Sequence, residues 1–105
     1  MINHGLSENQ INVIKKIMLP YSKYIECVGL FGSRATGNFR SNSDIDLVIY
    51  GSLDEKTIDR IYSIFKNSSL SLKVDIHAYN LIDYPPLTKH IDDHMVVLFN
   101  FDVLY

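Results

Sequence analysis

The chain has no tryptophan, one cysteine and three prolines in 105 residues. A lone Cys27 excludes an internal disulfide, and its place in an apolar run reads as a reduced core residue of a cytoplasmic protein. Basic charge is not in excess: ten Lys and Arg stand against twelve Asp and Glu, a net charge of −2. There is therefore no strong nucleic-acid footprint, and a long polynucleotide substrate is disfavoured. No apolar run approaches membrane-spanning length, so no membrane association is expected. The polar start Met1-Ile2-Asn3-His4-Gly5 gives no sign of a leader peptide. Internal repeats, low-complexity tracts and linkers are also missing, and the length fits a single domain over 1–105. What is present is 47% hydrophobic residues, enough for a small core.

The apolar spacing predicts an ordered series of elements. Ser7 and Gln10 form a capping box, after which Ile11, Ile14, Ile17 and Met18 follow helical spacing to Pro20. A short buried strand is predicted over 27–31, and a second over 43–50, ending at Gly51-Ser52. Ser52-Leu53-Asp54-Glu55 reads as another capping box, opening a helix with a stripe of Ile58, Ile61, Tyr62 and Phe65. A strand over 70–79 follows, then a short helix from Pro85-Pro86 through His90 and Ile91, then a strand over 95–99. This order describes a small α/β (α+β) fold, a mixed sheet of about four strands with helices packed on it.

Two carboxylates and a fixed gap carry the chemistry. Gly32-Ser33 is followed after ten residues by Asp44-Ile45-Asp46. Side chains alternate along a strand, so Asp44 and Asp46 should share one face and Ile45, Leu47 and Ile49 the other. Carboxylates this close repel, and a magnesium ion, which prefers oxygen ligands, relieves the repulsion. Asp75 repeats the pattern, sharing a face with Lys73 and His77 opposite Leu70, Leu72, Val74, Ile76 and Ala78. On a neighbouring strand it would complete a three-carboxylate set for two-metal phosphoryl or nucleotidyl transfer. Gly32, just past a strand, lets the backbone approach a phosphate. If Ser33 begins a short helix, its free N–H groups face the anion. The Ser33 hydroxyl, Arg34 and Arg40 are candidate donors to phosphate, although a surface ion pair suits either arginine about as well.

Taken singly, each feature is ordinary, since Gly-Ser turns are common and an Asp-x-Asp pair can sit in solvent. Together, at one fixed gap, they arise by chance on the order of once per thousand chains of this length. Other residues point less far. His90 and His94 share a helical face, but zinc needs more ligands and no second cysteine exists. His77 suits a nucleotide or acceptor contact or, equally, a solvated strand position. Tyr79, Tyr84, Phe101 and Tyr105 lie in late segments where an exposed aromatic patch would mark an interface.

The stretch Leu30-Phe31-Gly32-Ser33-Arg34-Ala35-Thr36-Gly37-Asn38, then Ser43-Asp44-Ile45-Asp46-Leu47, with Asp75 downstream, resembles the signature of the polymerase-β-type nucleotidyltransferases. Within that superfamily it is similar to the minimal nucleotidyltransferases, the MntA-like antitoxin group. The likeness spans nearly the whole chain; His90-Ile91-Asp92-Asp93-His94-Met95 departs from the acidic-glycine ending expected before the last strand. The resemblance implies transfer of AMP from ATP to an acceptor hydroxyl. It implies Asp44, Asp46 and Asp75 as catalytic residues holding magnesium (two ions), and Gly32, Ser33, Arg34, Arg40 and Ser43 as nucleotide-binding. It also implies a HEPN-domain partner, often a toxin ribonuclease that the antitoxin adenylylates. Larger relatives carry an extra acceptor-binding domain and this chain is expected to have none, so specificity would come from a partner, in a hetero-oligomer or a homodimer, or from the acceptor itself being a macromolecule. Two other readings remain open: a non-catalytic module that binds nucleotide or masks a partner, and a small-molecule adenylyltransferase of the aminoglycoside type.

Overall fold

The computed structural model of the chain describes residues 4–101. Helix α1 (Glu8–Met18) starts on the predicted box: the Ser7 hydroxyl accepts from Gln10 N at 3.1 Å and the Gln10 side chain accepts from Ser7 N at 2.8 Å. Pro20 turns the chain into a 3-10 segment, Leu19–Tyr24, which leads into β1 (Ile25–Phe31). Short helix α2 (Ser33–Thr36) and an irregular loop precede β2 (Ile45–Gly51). Helix α3 (Glu55–Lys66), β3 (Val74–Ala78), a 3-10 turn at Tyr79–Leu81, helix α4 (Pro85–His94) and β4 (Val96–Asn100) complete the order.

The four strands form one mixed sheet in the order β3-β2-β1-β4. β1 is antiparallel to both β2 and β4, whereas β2 and β3 run parallel, joined through α3. Ile45, Leu47 and Ile49 face the larger core with Leu30, Ile14 and Met18 of α1, Ile61 and Phe65 of α3, and Val74, Ile76 and Ala78. The opposite face carries a smaller cluster, in which Phe31 and Val48 meet Ile91 of α4. No helix among the described residues is long and apolar enough to cross a membrane.

Several expected boundaries shift, each for a local reason. β1 starts at Ile25 rather than 27, because Glu26 points outward and a register irregularity absorbs it. β3 begins at Val74; Leu70 and Leu72 pack on the core from outside the strand. α4 continues to His94, and Met95 N then donates to Ile91 O at 2.8 Å, which moves β4 one residue on. The second capping box does not form. Asp54, not Ser52, caps α3 by accepting from Thr57 N at 2.8 Å, while Ser52 N is tied to Tyr24 O at 3.0 Å. Tyr62 is exposed rather than part of the buried stripe. Cys27 is half-buried, a free thiol whose pKa is pushed up by burial and then by Glu26. Of the late aromatics, Tyr84 is exposed, Tyr79 stacks on Tyr50 with centroids 4.9 Å apart, and Phe101 packs edge-on against Phe99. Tyr105 lies outside the described residues.

The cap gives a direct check. The bond from Thr57 holds the Asp54 carboxyl below its ordinary pKa, so its stabilisation is present above the ordinary carboxylate range and is lost as pH falls through the lowered value. Asp54→Ala should lower the thermal midpoint at pH 7 and do so progressively less toward pH 3, whereas Ser52→Ala should leave it unchanged. Calorimetry of both variants across pH decides between the two caps.

Candidate active site

The site forms where β1 ends beside β2. Phe31 pairs with Asp46, so the next residue, Gly32, turns directly against that carboxylate. Gly32 adopts φ 72° and ψ −151°, and a Cβ there would overlap Asp46 Oδ2, so only glycine fits the corner. Its carbonyl accepts from Ala35 N at 3.1 Å and Thr36 N at 3.2 Å, which starts α2 at Ser33. Gly37, with φ 87°, ends that helix in the left-handed conformation.

Asp46 and Asp75 are register partners in the parallel β2–β3 pair, so their side chains stand next to each other on one face. Asp44 differs from its expectation. It precedes the strand, because a turn closed by Ser43 N to Arg40 O at 3.0 Å and by Arg40 N to the Ser43 hydroxyl at 2.8 Å draws the chain off the ladder. It still lies near enough to act on Asp46. Burial pushes the Asp46 carboxyl above its ordinary range, and Asp75 and Asp44 push it further. His77 Nε2 sits 3.3 Å from Asp75 Oδ2, and the Asp75 side chain is 47% exposed.

Among the described residues no three His, Cys, Asp or Glu side chains are already drawn into a metal cage. The acidic crowding on Asp46 nonetheless fits a hard divalent cation, and magnesium commonly uses one or two carboxylates with phosphate oxygens and water.

Arg34 corrects the expectation of a phosphate ligand. It is 1% exposed, and its guanidinium donates to the carbonyls of Ser43 (2.9 Å), His4 (3.0 Å), Ser41 (3.3 Å) and, more distantly, Arg40 (3.5 Å). Phe39 lies over its carbon, 5.2 Å from the ring centre. The side chain therefore ties the 37–44 loop to the segment before α1, with Nε, Nη1 and Nη2 all donating to main-chain carbonyls. Ser43 is engaged on both sides, its hydroxyl accepting from Arg40 N within the loop and its carbonyl from Arg34 of α2. Arg40 is exposed, and neither arginine forms the alternative surface ion pair, since the two pairs among the described residues are His77–Asp75 and Lys89–Asp93.

His90 shares a helical face with His94 but has a part of its own in the site. It is half-buried, and its Nε2 accepts from Gly32 N at 3.2 Å. A signal existed: His90 follows Leu87 by three positions and precedes Ile91, so it shares the sheet-facing side of α4.

The family model described as "Polymerase beta, Nucleotidyltransferase" matches residues 12–103. The chain belongs to that nucleotidyltransferase family. Its structural neighbours include chains of toxin–antitoxin complexes, MNT antitoxins among them. One, a toxin–antitoxin structure with AMP-PNP, is 23% identical with a TM-score of 0.71, covering 86% of this chain and 73% of that one. A second, the MntA-HepT toxin–antitoxin, is 20% identical with a TM-score of 0.68, over 90% of this chain and 73% of that one. A third, a tri-AMPylated Shewanella oneidensis HEPN toxin in complex with MNT antitoxin, is 20% identical with a TM-score of 0.65, over 86% and 69%. These identities establish the shared fold. No curated protein matches the chain.

Two outcomes follow from the site's electrostatics. Because the Asp46 carboxyl is raised, ionising it opposes folding above that raised value, and the opposition vanishes below the ordinary carboxylate pKa. Asp46→Asn should therefore raise the metal-free thermal midpoint at pH 7, with the gain disappearing in acid, as read by scanning calorimetry. Arg34→Met should lose about 3 kcal/mol or more, since it strips partners from several part-buried carbonyls around a fully buried side chain, and urea unfolding measures it.

Proposed function

We propose that this chain is a magnesium-dependent nucleotidyltransferase that moves AMP from ATP to an acceptor hydroxyl, and that it acts in the cytoplasm as the antitoxin of a HEPN-domain toxin. The observation that carries this reading is the β2–β3 register, which sets Asp46 beside Asp75 against the Gly32 turn. The family membership and the likeness to MNT antitoxins, one of them in complex with a tri-AMPylated HEPN toxin, support it.

Asp44, Asp46 and Asp75 would hold the metal, two ions on the full expectation. When bound, magnesium neutralises triphosphate charge and raises the electrophilicity of the α-phosphorus. The rest falls to the chain. Gly32 lets the phosphates approach the backbone closely, and the Ser33 hydroxyl and the exposed Arg40 offer donors to them. Asp75, half-exposed and steadied by His77, receives the proton of the acceptor hydroxyl. The acceptor oxygen forms a bond to the α-phosphorus as the bond to the pyrophosphate oxygen breaks, and pyrophosphate leaves. Rate enhancement comes from positioning and charge complementarity, without a covalent enzyme intermediate. The acceptor-binding surface comes from the partner, which forms a hetero-oligomer with this chain.

Incubation with ATP labelled at the α-phosphate, magnesium and a HEPN-domain protein encoded beside this chain should place label on that protein. Asp44→Asn with Asp46→Asn should reduce the rate about a hundredfold or more. A folded wild-type protein that transfers no label contradicts the reading. A double variant that neutralises the toxin fully would make the chain a masking module instead.

A further inference from the structure

We propose that His90 is a positioning residue for the nucleotide phosphates: from α4 its Nε2 clamps the Gly32 peptide and fixes the corner that receives them. The inference rests on the nucleotide-binding reading of the Gly32-Ser33 turn.

Gly32 is held at both ends. Its N–H donates to His90 Nε2 at 3.2 Å, and its carbonyl accepts from the amides of Ala35 and Thr36. Rotation about φ swings the N–H and rotation about ψ swings the carbonyl, so the two attachments together leave the corner one geometry. That geometry, φ 72° and ψ −151°, is one that glycine could otherwise leave freely, since it gains no side-chain packing to keep it there. Because Gly32 can only donate, Nε2 must present its lone pair, which puts the proton of the neutral ring on Nδ1.

His90 is itself well braced. Its ring meets Phe31 edge-on, with centroids 6.2 Å apart and planes at 74°. Its neighbour Ile91 is fully buried and anchors α4 to the second face of the sheet. Pro85 and Pro86 stiffen the first turn of the same helix. The clamp thus links the element that carries no signature residue to the backbone corner beside Asp46. His94 has its ring 5.0 Å from that of His90 but is exposed at the helix end, and serves as a control.

A hydrogen bond from a half-buried amide changes net stability little, because water can replace it; a corner that must be rigid before ligand arrives is more sensitive. His90→Phe keeps the ring and its packing on Phe31 but removes the acceptor. His90→Gln places an amide oxygen about where Nε2 stands, and His90→Asn is too short to reach. In the nucleotide-free wild-type protein, NMR should detect a 15N–15N coupling across the bond from Gly32 to His90. Calorimetry with Mg·AMP-PNP should show His90→Phe and His90→Asn binding about tenfold more weakly, with thermal midpoints near wild type. His90→Gln should recover wild-type affinity, and His94→Ala should not change it. Absence of the coupling, or equal affinity of His90→Gln and His90→Asn, overturns the clamp, and this comparison stands even if His90→Phe does not fold. Wild-type protein that takes up no Mg·AMP-PNP overturns the nucleotide reading as well, whereas uptake that survives His90→Phe and His90→Asn undiminished overturns the clamp alone.

Discussion

The parallel pairing of β2 with β3 is the constraint on which the site depends. It sets Ile45 against Val74, Asp46 against Asp75 and Leu47 against Ile76, so the apolar and acidic faces of both strands coincide. Slipping one strand by a residue would turn Val74, Ile76 and Ala78 out of the core and Asp75 into it. The hydrophobic cluster under α1 and α3 therefore fixes the separation of two carboxylates on the opposite face. Packing on one side of the sheet stabilises an arrangement on the other side that repels itself.

The loop between β1 and β2 brings Asp44 to the start of β2 without the help of a ladder. Arg34 does this work from within. A guanidinium is always charged, and here it is buried with backbone carbonyls as its hydrogen-bond partners instead of an acidic side chain. The carbonyl of Ser43 takes two of its bonds, and Asp44 follows immediately. One buried cation thus determines where the chain enters β2. Gly32 completes the arrangement from the β1 side by omitting the side chain that Asp46 would strike.

Much of this was legible from residue order. Period-two alternation placed Ile45, Leu47 and Ile49 on the core face and Asp75 with His77 on the other, because both faces obey the same geometry. The box at Ser7 was legible because its partners are three residues apart. Arg34 was not, since its acceptors are main-chain carbonyls, one of them thirty residues away at His4, and backbone groups leave no mark in a sequence. His90 escaped for a similar reason: its partner is the amide of Gly32, 58 residues distant. The false box at Ser52 shows the converse limit. Two adequate caps lay two positions apart, and the tie from Ser52 to Tyr24, a contact between distant segments, decided between them.

The most direct test replaces magnesium by manganese and follows paramagnetic broadening of side-chain carboxyl signals in the presence of AMP-PNP. Asp46 and Asp75 should broaden together, with the Gly32 amide close behind, while Asp54 and Asp93 stay sharp. Broadening that reaches Asp46 but spares Asp75, or that gathers at another cluster, would contradict a shared cation across β2 and β3.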